Sequence, residues 1–253
     1  MRIVRDVIQQ DSCERKIMRR IMIINSKGGS GKSVVATNLA SFYATRDKVV
    51  ALADFDPQSS SLQWLQARGK DRPPIHGIAA WRDPIQVPRN TEYLIMDTPA
   101  GARGAELSAL VRRAQTVIIP VLPSATDIRA ATQFVHNLLA LGPVVRRHVR
   151  LAAVANRVRE NTSLIKAMEW VLGGLSAPNA TANTRLYRHL HHFLKRLRTP
   201  FIATLRDSVN YQLADEQGRG IFELYSSSAE HDIEQWKPLI AWLANPRSIP
   251  RTM

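Results

Sequence analysis

Residues 27–33 read Lys27-Gly28-Gly29-Ser30-Gly31-Lys32-Ser33, a run set between an apolar β-like stretch at 21–24 and a helical pattern from Lys32 to about Thr45. Glycines at a strand-to-helix junction let closely spaced backbone N–H groups, unobstructed by side chains, face an anion at the positive end of a helix. A lysine and a hydroxyl directly after the last glycine complete a phosphate site. Lys32 reaches the β- and γ-phosphates of a nucleotide, and the Ser33 hydroxyl ligates Mg2+. Gly28, Gly29, Ser30, Gly31 and, one residue into the helix, Val34 line the same contact. An ordinary Gly-rich turn has no call for Gly-Lys-Ser in this context. The strict G-x-x-x-x-G-K-S spacing fails only at its first glycine, where Ser26 stands.

Such a loop requires a strand before it and a helix behind it, and the rest of the chain supplies more of both. Runs at 21–25, 49–53, 93–96, 116–121 and 149–155 are short, apolar and β-rich, each followed by a helix candidate. Strands alternating with helices build a parallel sheet covered on both faces. The expected fold is α/β, a doubly wound, mostly parallel sheet with helices on both faces. It forms a single domain over 20–253, with an N-terminal appendage at 1–19. A chain of 253 residues, 45% of them apolar, can bury one full core without dividing. Segments 71–74, 82–90 and 176–184 have the Pro, Asn, Ser and Thr content of connectors.

Composition excludes several classes. Cys13 is the only cysteine, so one chain holds neither an internal disulfide framework nor a Cys-ligated zinc or iron–sulfur site. No apolar run approaches the ~18 residues of a bilayer span, and Arg2, Arg5 and Asp6 stand where a signal peptide would be apolar. The expected location is the cytoplasm. The net charge of +14 favours an anionic partner such as nucleic acid. It is also localised: residues 146–206 hold twelve basic and two acidic side chains, whereas 207–236 hold seven acidic and one basic, Arg219.

Two acidic motifs follow the phosphate loop: Asp54-Phe55-Asp56-Pro57-Gln58 after the second predicted strand and Asp97-Thr98-Pro99-Ala100-Gly101 after the third. An apolar strand ending in Asp places a carboxylate at the carboxyl edge of a sheet, where it can meet a Mg2+ shell; singly, such an Asp also serves as a cap or turn residue. In this order behind Lys27-Gly28-Gly29-x-Gly31-Lys32-Ser33, the motifs resemble the ParA/MinD family of bacterial ATPases, P-loop NTPases with a deviant Walker A motif. The likeness is nearest to ParA-type partition and positioning ATPases and spans about residues 20–245. It implies ATP and Mg2+ as cofactors and a homodimer in the ATP state. Lys27, the family's extra lysine, would act in trans on the phosphates held by the other subunit, as an arginine finger does. By the same resemblance, Asp56 orients the attacking water, and Asp54 and Asp97 act on Mg2+ or its waters. Asn156, in Ala155-Asn156-Arg157-Val158, would contact adenine, although an Asn there also suits a strand-end turn.

The implied activity is ATP hydrolysis to ADP and phosphate, weak until a ParB-like or adaptor protein stimulates it. The implied cycle binds DNA without sequence preference and places the protein on the nucleoid. The DNA surface is expected at 185–198. There Leu186, Leu190, Phe193, Leu194 and Leu197 make one apolar helical stripe, with Arg185, Arg188, Lys195, Arg196 and Arg198 mostly off it and no acid between them. The competing reading is a core helix with a basic solvent face. His189, His191 and His192 belong to that basic segment rather than to a metal site. The other function considered is a MinD-like membrane-surface ATPase. It needs a C-terminal amphipathic anchor, and Ile233, Trp236, Ile240 and Leu243 share one face. With only Lys237 basic, that helix is expected to dock on the core instead.

Overall fold

The computed structural model describes residues 18–141, 149–159, 200–225 and 227–245. Seven strands form one sheet: β1 (Arg19–Ile23), β2 (Val50–Asp54), β3 (Ile75–Ala79), β4 (Tyr93–Asp97), β5 (Thr116–Val121), β6 (Arg150–Val158) and β7 (Phe201–Arg206). Their order is β3-β2-β4-β1-β5-β6-β7, and every pairing is parallel. The chain winds outward from β1 in both directions, so the sheet is doubly wound and its crevice opens at the carboxyl end of β1.

Alternation within the strands explains the two-sided core. Ile21, Ile23, Leu52 and Ile95 face one side, under α1 (Lys32–Ala44), α2 (Ser60–Ala67) and the last helix, α6 (Ser227–Ala244). Met22, Ile24, Ala53 and Met96 face the other, under α3 (Gly104–Val111) and α4 (Ala125–Ala140). All eight of these strand residues are fully buried. Between β7 and α6 lie α5 (Val209–Glu216) and a 3-10 turn at Ile221–Glu223.

The five expected strands are present, and β1 starts at Arg19, just inside the expected appendage. Two strands were not foreseen, and both lie at the sheet edges. In β3, Ile-His-Gly-Ile-Ala exposes His76 and Gly77 and offers only two large apolar residues. In β7, Phe-Ile-Ala-Thr-Leu-Arg alternates buried and half-buried positions. An edge strand lacks the continuous apolar run by which a central parallel strand is recognised. Pro120 stands within central β5 without penalty, because β5 pairs with β1 only over Thr116–Ile118 and Pro120 lies beyond the end of β1.

The C-terminal helix docks as expected. Trp236, Leu239 and Leu243 of α6 are fully buried, Ile233 and Ile240 partly so, and the Trp236 indole N–H donates to Tyr211 Oη at 2.9 Å. The face a membrane anchor would need is therefore packed on the core. No helix among the described residues is long and apolar enough to cross a membrane.

A buried ion pair ties this side together. The Arg68 guanidinium donates to both Glu223 oxygens at 2.8 Å. The same carboxylate accepts from Ser41 Oγ at 2.7 Å and Gly220 N at 2.8 Å. Arg68 also donates to the carbonyls of Gly218 and Pro73. Gly218 has φ +59, and a Cβ there would lie 2.3 Å from Arg68 N, so this approach excludes a side chain. Burial alone would push Glu223 up, but the donors from Arg68, Gly220 and Ser41 outweigh it and hold the carboxyl below its ordinary value. Glu223→Gln leaves a buried guanidinium uncompensated and should destabilise the fold by about 3 kcal/mol. Because the folded pKa is depressed, the stabilisation is present above about pH 4.3 and is lost as pH falls through the folded value. Urea unfolding should show the gap between wild type and Glu223→Gln at pH 7 and its closure at the acid end.

Candidate functional site

Asn25, at the end of β1, fixes the phosphate loop at its start. Its Nδ2 donates to the Pro120 carbonyl at 2.7 Å and its Oδ1 accepts from Lys27 N at 3.3 Å. At the loop's other end Asn156 Nδ2 donates to the Ser30 carbonyl at 2.9 Å. Gly31 caps α1 in the left-handed region with φ 87, contributes no side chain to the cap, and is followed by a first turn without an acidic residue. The orphan N–H groups of that turn are thus left for an external anion.

The acidic motifs meet this loop through strand register. Asp54 pairs with Asp97 across β2 and β4, and Asp97 with Ile23 of β1, so the carboxyl ends of three strands are level. Phe55 N donates to the Asp97 carbonyl at 2.9 Å, joining the two motifs. Asp54 is fully buried, and its Oδ1 accepts from Asp56 N at 2.9 Å. Its Oδ2 accepts from Ser61 N, Ser61 Oγ and Leu62 N at 3.1, 2.7 and 3.3 Å. The Asp54 carboxylate therefore organises the Asp56 turn and the first turn of α2, and direct coordination of a metal would compete with four donors. Among the described residues Asp56 itself accepts only from Gln58 N, at 2.9 Å, and it lines the cavity.

Asp97 differs. It is buried, and neither of its oxygens forms a hydrogen bond among the described residues. Burial pushes its carboxyl up to about 7; the Ser33 hydroxyl and the Lys32 ammonium oppose this, and the charges of Asp54 and Asp56 add to it. Lys32 is buried as well, and burial lowers its pKa against the attraction of Asp97 and Asp56. A buried carboxylate without a donor, beside a serine hydroxyl and an uncapped helix N-terminus, fits a Mg2+ held mainly by phosphate and water. Among the described residues no group of three or more His, Cys, Asp or Glu could hold a metal alone.

These groups border a cavity of about 530 Å³. Gly28, Gly29, Gly31, Lys32, Ser33 and Val34 form one end, with Asp56 and Gln58 beside them. Asn156, Arg157, Arg206, Ser208 and Tyr211 form a further wall. Asn156 thus lines the cavity, while its amide is committed to the loop. Fully buried Asp232 stands behind the wall, accepting from Ser208 Oγ at 3.0 Å and Asn210 Nδ2 at 2.6 Å and pairing with Arg206. Sequence reasoning assigned no role to Asn25 or, Asn156 apart, to this wall. The Asn preceding Ser26 and the Ser208-x-Asn210 cap were the available signals. Arg185, Arg188, Lys195, Arg196 and Arg198, and the three histidines among them, lie outside the described residues.

A Cβ on Gly31 would lie 2.0 Å from Asn156 Nδ2, in a backbone conformation already unfavourable to side chains. Gly31→Ala should therefore displace the Asn156 amide and cost roughly tenfold in nucleotide affinity, measured by calorimetry, since keeping alanine in the αL backbone that the loop needs costs ~1–2 kcal/mol. For Asp97 the folded pKa is raised, so stability of the nucleotide-free chain falls as pH rises from the ordinary Asp value of about 3.9 towards about 7, and the full penalty is present above that. Asp97→Asn should raise the melting temperature at pH 8, leave it near wild type at pH 4, and abolish the Mg2+-dependent part of nucleotide binding.

The chain is 26% identical over 173 residues to the maintenance of carboxysome distribution protein A of Halothiobacillus neapolitanus, spanning 65% of this chain and 78% of that protein. Over 56 residues it is 43% identical to the chromosome-partitioning ATPase Soj of Thermus thermophilus, 22% of each chain. Among solved structures it superimposes on an ATP complex of Cyanothece McdA with TM-score 0.63 at 15% identity, covering 88% of this chain and 96% of that one. The MinD cell division protein of Aquifex aeolicus gives TM-score 0.59 at 16% identity, with 88% and 97% covered. The family model of the CobQ/CobB/MinD/ParA nucleotide binding domain matches residues 21–219. With the loop, the level carboxylates and the doubly wound sheet in place, the chain belongs to the CobQ/CobB/MinD/ParA nucleotide-binding family.

Proposed function

We propose that this chain is an ATP-switched positioning ATPase. ATP and Mg2+ close a homodimer, the dimer binds DNA without sequence preference, and a ParB-like or adaptor partner stimulates hydrolysis and release. The cargo is a plasmid, a chromosome or a protein cluster, distributed over the nucleoid in the cytoplasm. Residues 20–253 act as one ATPase domain in this reading, with 1–19 as an appendage. The observation that carries it is the convergence of Lys32, Asp56 and Asp97 on an uncapped phosphate loop at the carboxyl edge of the sheet. Relatives named for carboxysome distribution and chromosome partitioning support the positioning role.

Lys32 balances the phosphate charge, Ser33 and Asp97 hold Mg2+ or its waters, and Asp54 keeps the Asp56 turn in place. Bound Mg2+ supplies charge neutralisation at the phosphates. Asp56, with a carboxylate facing the cavity, accepts the hydrogen bond that aligns a water for attack. Lys27 acts across the dimer. Arg185, Arg188, Lys195, Arg196 and Arg198 supply the DNA contacts, doubled when the dimer closes.

Lys32→Ala should abolish ATP binding, whereas Asp56→Ala should bind ATP, fail to turn over and accumulate as dimer in size-exclusion chromatography. Trapped in ATP, the Asp56→Ala protein should bind duplex DNA of any sequence. With about six phosphates neutralised per dimer, affinity should fall on the order of 10³-fold between ~50 and ~200 mM salt. Changing Arg185, Arg188, Arg196 and Arg198 to Ala should remove most of that binding. Unchanged affinity would move the DNA surface elsewhere, and salt-insensitive or absent binding would defeat the nucleoid reading.

A further inference from the structure

Lys27 is not idle in the single chain. Its Nζ lies 2.6 Å from Oδ1 of Asp127 in the first turn of α4. The lysine side chain is 41% exposed and that of Asp127 only 9%, so a largely buried carboxylate holds a largely free cation. Asp127 is itself fixed. Ser124 caps α4 by accepting from Asp127 N at 3.1 Å, and Ser124 Oγ also hydrogen-bonds Oδ2 of Asp127. Oδ1 is buried and has no hydrogen bond among the described residues; its partner is the Lys27 ammonium, as an ion pair.

We infer that Asp127 is a positioning residue that retains Lys27 in its own subunit and thereby sets how readily the ATP dimer forms. The inference rests on the ATP-dimer reading above, since Lys27 is the group that must cross to the other subunit. A flexible lysine can serve one carboxylate or one phosphate site at a time. While it neutralises Asp127, it is withheld from a partner; when it leaves, Oδ1 is stranded in a buried place, which costs free energy. That cost falls on dimer closure and not on nucleotide binding to one chain, because Asp127 lies outside the residues lining the nucleotide cavity. Closure by two-fold symmetry breaks two such pairs at once. The geometry thus provides a threshold: ATP alone fills the loop, and the sandwich closes only where the partner's phosphate charge outbids Asp127 for the lysine.

The test uses the full chain with Asp56→Ala as the non-hydrolysing parent, in ATP and Mg2+, with dimerisation followed by analytical ultracentrifugation. Asp127→Asn keeps the Ser124 cap on the backbone but removes the charge. It should lower the protein concentration at half-dimerisation by about tenfold, the size expected when two ion pairs per dimer, each with a half-exposed lysine, need no longer break. Asp127→Glu should return the midpoint towards the parent. In a Lys27→Gln background Asp127→Asn should have no further effect, which a mere change in α4 stability would not reproduce. Acylation of Lys27 in the nucleotide-free protein, read by mass spectrometry, should be several-fold faster with Asp127→Asn. A parent that dimerises while Asp127→Asn leaves both midpoint and acylation rate unmoved overturns the inference alone, as does an equal shift in both Lys27 backgrounds. A parent that stays monomeric in ATP overturns the dimer reading and the inference with it.

Discussion

Two buried asparagine amides, Asn25 on the Pro120 carbonyl and Asn156 on the Ser30 carbonyl, tie the phosphate loop to β5 and β6. A loop built to present N–H groups to an anion cannot satisfy its own donors, so its shape has to be imposed from outside. Side-chain amides suit this task because their N–H groups bond carbonyls, and of the loop's backbone N–H groups these two take only that of Lys27, at its start, among the described residues. The glycine at the αL position follows from the same constraint. Gly31 is where Asn156 comes closest, and any side chain there would displace the amide that fixes the loop.

The carboxylates divide their work by what surrounds them. Asp54 and Asp97 share one register level and both are buried, yet among the described residues Asp54 accepts four hydrogen bonds and Asp97 none. A carboxylate saturated with donors is a structural element that shapes the turn carrying Asp56. A buried carboxylate without donors is costly in the bare chain and becomes favourable only when a cation and its waters arrive. The sequence motif, an apolar strand ending in Asp, reads the same in both cases. The donors of Asp56, Ser61 and Leu62, set by the turn after β2 and by where α2 begins, separate them.

The same limit governs what could be read from the chain before folding. Central strands, the loop and the helix behind it announce themselves because local pattern and final environment agree: β1 and β2 are apolar on both faces because both faces are covered. Edge strands β3 and β7 are half-solvated and lose that signature. Lys27 was recognisable as a signature lysine, but its contact with Asp127 spans a hundred residues and depends on α4 starting beside the loop. Ser124-x-x-Asp127 reads as a helix cap, and nothing in a cap motif tells that the second carboxylate oxygen has a lysine to hold.

A mechanical consequence follows from where α2 is anchored. Its first turn hangs on the Asp54 carboxylate, beside the turn that carries Asp56. Its last residues lead into Arg68, which is clamped to Glu223 and the Gly218 carbonyl. That clamp adjoins α5, whose Tyr211 forms part of the far cavity wall and accepts from Trp236 of α6. Eight residues of helix, fixed by ionised groups at both ends, leave few internal degrees of freedom. A displacement of the Asp56 turn must then either break a bond to Asp54 or carry α2 with it, towards α5 and the docked C-terminal helix. Contiguity of this kind supplies a route from the Asp56 turn to the opposite wall. Coupling along it would require a second arrangement of α2, whose cost the bonds to Asp54 and Arg68 would set.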